Sequence, residues 1–140
     1  MTRRKRRGVE ILRKKRRNDV MEYILDGLYF VVTTNRNKTN KSDSKTEIKS
    51  NRTERYDESN CKWSSLFEII SDTEVKMTSV ADPRNADIDF YLSTPNGTPT
   101  RSPLTYESIL RLARKGDKIQ MSGQIDHGGG LIFLTMNRIK

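Results

Sequence analysis

The chain has 140 residues, of which 33% are hydrophobic and 32% charged, and its net charge is +9. That favours one small folded body of roughly 80 to 100 residues with solvated segments around it. The single cysteine, Cys61, excludes an intrachain disulfide and a cysteine-based zinc site.

Residues 1–17, a basic arm, hold ten of the 27 Lys and Arg residues and one acid. Like-charge crowding disfavours an isolated helix there. Over residues 18–35, Asp19 and Glu22 resemble a capping box. Val20, Met21, Ile24, Leu25 and Leu28 follow at helical spacing, and Gly27 stands where a short helix would end. Leu28–Thr34, "LYFVVTT", reads as a strand. The apolar stretch Val20–Val32 carries Glu22 and Asp26 and is too short to span a membrane, which needs about 20 mostly apolar residues. It also lacks the small-residue cleavage site of a signal peptide.

Residues 36–62 have almost no apolar content, and we expect a disordered linker or long loop there. From Trp63 the chain regains hydrophobic pattern. Leu66–Ser71, Glu74–Val80 and Asp87–Ser93 read as three strands. Thr94–Pro103, with three prolines and a glycine, reads as a loop. Tyr106, Ile109, Leu110 and Ala113 fall on one helical face, with Arg114, Lys115 and Gly116 at its end, so Thr105–Gly116 is expected to be a helix. Two strands, "DKIQMSGQI" and "LIFLTMNRI", follow on either side of the turn "DHGGG". Gly123 marks a place where a coiled strand must bend.

The order from residue 63 to 140 is thus β-β-β-α-β-β. The expected fold is mainly β: a small five-stranded Greek-key barrel with one helix between strands 3 and 4, a basic arm and a disordered linker. The run "LRLARKGDKIQMSGQIDHGGGLIFLTM" resembles the second half of OB-fold nucleic-acid-binding domains, including the bacterial tRNA-anticodon-binding-like group. The resemblance covers about residues 63–140 and rests on a pattern rather than a signature motif. It implies a barrel that holds a nucleic acid strand by stacking and phosphate contacts.

Charge placement refines this. Residues 1–17 carry +9, residues 18–35 carry −3, residues 36–62 carry +3 and residues 63–140 carry none. The candidate phosphate contacts are therefore first those of the arm: Arg3, Arg4, Lys5, Arg6, Arg7, Arg13, Lys14, Lys15, Arg16 and Arg17. On the barrel the candidates are Lys76, Arg84, Arg101 and Lys118, with Tyr91 for base stacking. Of the other aromatics, Trp63, Phe67 and Phe133 are open to the same role, while Phe90 shares a face with Ile88 and Leu92 and suits the core. Glu68, Asp72, Glu74, Asp87 and Asp89 in the same strands would repel phosphate.

Catalytic motifs are weak. "HGGG" (His127–Gly130) resembles an oxyanion-hole string, but the nucleophile elbow and large sheet that it requires are absent from the sequence. His127 is the only histidine, so a metal site is not expected. Three Ser/Thr-Pro steps at Thr94, Thr98 and Ser102, and sequons at Asn37, Asn40, Asn51 and Asn96, are compatible with modification but common in so polar a chain. The sequence therefore points to a non-enzymatic, intracellular nucleic-acid-binding protein, cytoplasmic or nuclear, of weak sequence specificity and with a possible preference for single strands. No cofactor, metal or small-molecule substrate is expected, and a membrane role is disfavoured. The alternative is an adaptor barrel that binds protein, its arm serving as localisation signal or membrane-surface tether.

Overall fold

The computed structural model describes residues 23–35, 41–126 and 130–140. They form strands β1 (Gly27–Asn35), β2 (Lys41–Ile48), β3 (Arg52–Tyr56), β4 (Lys62–Ser71), β5 (Glu74–Asp82), β6 (Leu92–Ser93), β7 (Pro99–Thr100), β8 (Leu104–Lys115), β9 (Lys118–Asp126) and β10 (Leu131–Arg138). The basic arm, the capping box Asp19–Glu22 and His127 lie outside the described residues.

Eight strands make one antiparallel sheet in the order β2-β1-β10-β9-β8-β5-β4-β3. Apart from the β6–β7 excursion and the step between the two edge strands β2 and β3, each strand pairs with the one before it in the chain, and β10 returns to β1. The ladder of that return runs from Tyr29 opposite Arg138 to Asn35 opposite Ile132. The sheet is a nearly closed up-and-down barrel. Its seam lies between β2 and β3, which meet through the Lys49–Arg52 bridge. Asp26 holds that turn: its carboxylate accepts the backbone N–H groups of Ser50 at 2.6 Å and Asn51 at 2.9 Å. Both residues have positive φ, 54° and 65°, the geometry of a tight primed hairpin turn.

This architecture corrects the expected fold of five strands and a helix. Among the described residues there is no helix. Thr105–Gly116 is not helical: residues 104–115 are β8, paired with β5 from Ala81 opposite Leu104 to Glu74 opposite Arg111. The segment fits two periods at once. Tyr106, Leu110 and Leu112 turn inward at period 2, while Ile109 remains half exposed on the outer face. Pairing with β5 on one side decides between the two periods. Residues 23–25 form a turn rather than the end of a helix, and Gly27 opens β1. The segment expected as a linker, 36–62, contains β2 and β3. Asp87–Ser93 is mostly irregular, with a turn at Ile88 and Asp89, Ile88 at 89% exposure and only Leu92–Ser93 in a strand.

One end of the barrel is filled. Tyr29, Ile48, Phe67, Val75, Leu110, Leu112, Ile119, Met121 and Met136 pack together there, with Leu25 across the opening. The Tyr29 hydroxyl donates to the Leu25 carbonyl at 2.7 Å. Arg138 donates to the carbonyls of Ile24 at 3.0 Å and Asp26 at 3.2 Å, and also to that of Asp117. Towards the other end the strands part. The β8–β9 ladder stops at Arg111 opposite Ser122, and above it the Ser108 hydroxyl donates to the Gln124 carbonyl. Gly123 stands at this divergence. A Cβ there would lie 2.7 Å from Leu110 Cδ2 and 3.1 Å from the Ile109 carbonyl oxygen. The upper barrel thus consists of two four-stranded leaves, β2-β1-β10-β9 and β8-β5-β4-β3.

Candidate functional site

The leaves enclose a cavity of about 510 Å³. Eight strands are enough to leave room for one small ligand where the interior side chains are short. Here they are short on one side. β2 alternates Lys41, Asp43, Lys45 and Glu47 outward with Ser42, Ser44 and Thr46 towards the cavity. β3 likewise turns Thr53 and Arg55 to the cavity. Thr33, Ser65, Ser79 and Ser93 extend this hydroxyl wall, and Ser65 Oγ and Ser79 Oγ share a hydrogen bond of 2.7 Å. The apolar side and floor are Val31, Phe67, Met77, Ile125, Ile132, Leu134 and Met136.

Aromatic rings stand at the upper end. Trp63 and Tyr106 are stacked, with centroids 5.9 Å apart and planes 20° from parallel. The Trp63 indole is fixed by Asp57, whose Oδ2 accepts its Nε1–H at 3.1 Å. Asp57 Oδ1 accepts the backbone N–H groups of Ser59 at 2.9 Å and Cys61 at 3.0 Å, so one carboxylate organises the whole β3–β4 connection. On the other side of the Trp63 ring lies the Arg55 guanidinium, 5.9 Å from the centroid. Burial pushes the Tyr106 hydroxyl above its ordinary value, so the wall group is a neutral phenol at neutral pH.

The excursion between β5 and β8 covers this end. Tyr91, Leu92 and Ser93 line the cavity from it. A second small core of Cys61, Ala81 and Leu92, with Ala86, Phe90 and Leu104 against it, fastens the excursion to the barrel. Arg101 is its strut: one guanidinium nitrogen donates to the carbonyls of Asp87 at 2.6 Å and Phe90 at 2.9 Å. The same guanidinium sits 5.8 Å from the Tyr91 ring centroid. Burial, followed by the nearby Asp57 and Asp82 charges, pushes the Cys61 thiol up and keeps it protonated.

The barrel residues expected to contact phosphate do not converge. Lys76 is on the outer face of β5, 3.7 Å from Glu107. Arg84 chelates Asp82 with two nitrogens at 2.9 Å, which holds that carboxyl at about 2. Arg101 is turned to backbone carbonyls of its own excursion. Lys118 opens β9 opposite Lys115, at the filled end. Tyr91, half exposed, is the one of them that reaches the cavity. Among the aromatics, Trp63 and Phe67 face the cavity, while Phe133 alternates to the outer face of β10. Arg55 and Tyr106 were not among the candidates. Arg55 sits in a segment with no apolar pattern, and Tyr106 was assigned to a helix.

The described lining contains no Asp, Glu, His or Cys; its titratable groups are Arg55, Tyr91 and Tyr106. It offers hydrogen bonds, ring faces and one positive charge. No group of three or more His, Cys, Asp or Glu suited to a metal ion is found among the described residues. No family model, curated protein or solved structure matches the chain.

Proposed function

We propose that this protein is a non-catalytic binding barrel that takes a small amphiphilic molecule between its two leaves. The observation that carries the reading is the composition of the cavity wall. A volume of about 510 Å³ lies within the range of small-ligand sites, and its lining is apolar with a few convergent polar groups. An empty core of that size would forfeit the packing that stabilises a small domain. Retaining Ser42, Ser44, Thr46 and Thr53 on the inner face, rather than valine or isoleucine, suits an occupant with polar atoms on that side. This reading adds a small-molecule partner to a chain for which no small-molecule substrate was expected.

The basic arm supports a second, separable role. A segment of +9 beside a body without net charge suits a nucleic acid or another polyanion, with contacts that weaken steeply as salt rises. The barrel then serves as cargo holder and the arm as tether. Deleting residues 1–17 should abolish low-salt binding to DNA and RNA and leave cavity binding intact. Retained single-strand binding without the arm would place the nucleic-acid site on the barrel instead.

The cavity reading is tested with N-phenylnaphthylamine, a neutral probe that fluoresces in apolar surroundings. The full chain should bind one equivalent. Thr46→Phe, on the inner face of an edge strand, should weaken that binding about tenfold, the effect of losing roughly one to two kcal/mol of contact. Equal binding by both proteins would place the probe outside the barrel and overturn the reading.

A further inference from the structure

The cavity wall is asymmetric in charge, and this names the class of ligand. Arg55 is the single charged residue of the lining. Among the described residues no carboxylate lies within 4.0 Å of it; the ion pairs nearby are Lys62 with Glu54 and Arg84 with Asp82. The two acids closest in sequence are both committed elsewhere, Glu54 to Lys62 at 3.1 Å and Asp57 to the Trp63 indole and two backbone N–H groups. The guanidinium is instead laid on the Trp63 ring, which orients it and leaves its N–H edge free to donate. The same lining carries hydroxyls of Ser42, Ser44, Thr46, Thr53 and Ser93 and no further cation.

We propose that the cavity takes a monoanionic amphiphile, with its carboxylate received by Arg55 beside the hydroxyl wall and its apolar body lying against Trp63, Leu134 and Met136. The inference rests on the cavity reading and adds the head group to it. A guanidinium fork matches a carboxylate in geometry, and the neighbouring hydroxyls can satisfy the remaining lone pairs. One cation suits one negative charge. A dianionic phosphate would place a second charge in a wall that has no second cation to meet it. Ile132, Leu134 and Met136 on β10, a strand that does not pair with β3, supply apolar wall for the body, and the Trp63 ring continues it beside the head group.

The test is competition on the full chain. Decanoate and its methyl ester each displace bound N-phenylnaphthylamine, in wild type and in Arg55→Gln. Wild type should prefer the acid about tenfold or more, as expected for charge-assisted hydrogen bonds. Arg55→Gln should reduce that preference to within about threefold, with Arg55→Lys between the two; the acid-to-ester ratio within each protein is the readout, so a change in probe affinity common to both competitors cancels. Arg55 is exposed on an edge strand, so these variants should fold as wild type does. Equal displacement by acid and ester in wild type would overturn the proposal and leave the cavity reading standing. A preference that survives in Arg55→Gln would also overturn it, because the charge would then come from elsewhere, such as the arm. Failure of the probe to bind at all would remove the cavity reading itself.

Discussion

Tyr29 shows how one side chain closes the filled end. Its ring is fully buried and its hydroxyl donates to the Leu25 carbonyl. Burial is the main reason that its pKa is raised from 10.0 to about 12, with Arg138 opposing and Asp26 adding to the shift. The neutral phenol is therefore the form the fold prefers. Its contribution is complete below pH 10.0 and is lost as the pH rises towards about 12. Tyr29→Phe should lower stability at pH 7 by about 1 kcal/mol and flatten the alkaline fall, measured by urea unfolding at several pH values. An unchanged alkaline fall would show that another group titrates. Asp57 is the corresponding residue at the open end. Asp57→Ala should free the Trp63 indole, shifting its emission and destabilising the protein by about 2 kcal/mol.

At the scale of elements, the two leaves separate where Gly123 lets β9 pass close to Leu110. Gly123→Ala should cost about 1 to 3 kcal/mol through that clash, read as a lower urea midpoint with an unchanged slope. The β5–β8 excursion depends on Arg101 and on the small core around Cys61. Arg101→Ala should therefore speed alkylation of the buried Cys61 thiol several-fold under native conditions, before global unfolding. Unchanged labelling would mean that the small core alone holds the excursion. These elements also show what the sequence made legible. β5, β9 and β10 announce themselves by alternation against a dry core, and Gly123 by its break in that pattern. β2 and β3 do not, because their inner faces line a cavity rather than a packed core: the alternation is of hydroxyl against charge, as in Ser42-Asp43-Ser44-Lys45-Thr46, and hydrophobicity is blind to it. β8 was hidden by Leu and Ala of high helix propensity and by Ile109, an apolar residue on the outer face. Half of the site was lost with these strands, since Arg55, Ser42, Ser44, Thr46 and Thr53 come from the segment expected to be disordered.

The whole molecule divides its chemistry between two places. The excess charge belongs to residues 1–17, and the described barrel carries its polar chemistry inside. Trp63 is the only tryptophan of the chain and lines the cavity, so it reports occupancy without labelling. In the proposed function a ligand enters between the leaves. Mapping of chemical-shift changes on the isotope-labelled full chain, during titration with decanoate, tests it most directly. Saturable shifts are expected at Arg55, Trp63, Tyr106, Leu134 and Met136, with the exposed Ile70, Ile88 and Ile109 unchanged. Shifts confined to those exposed isoleucines, with the indole N–H of Trp63 unmoved at saturation, would contradict it.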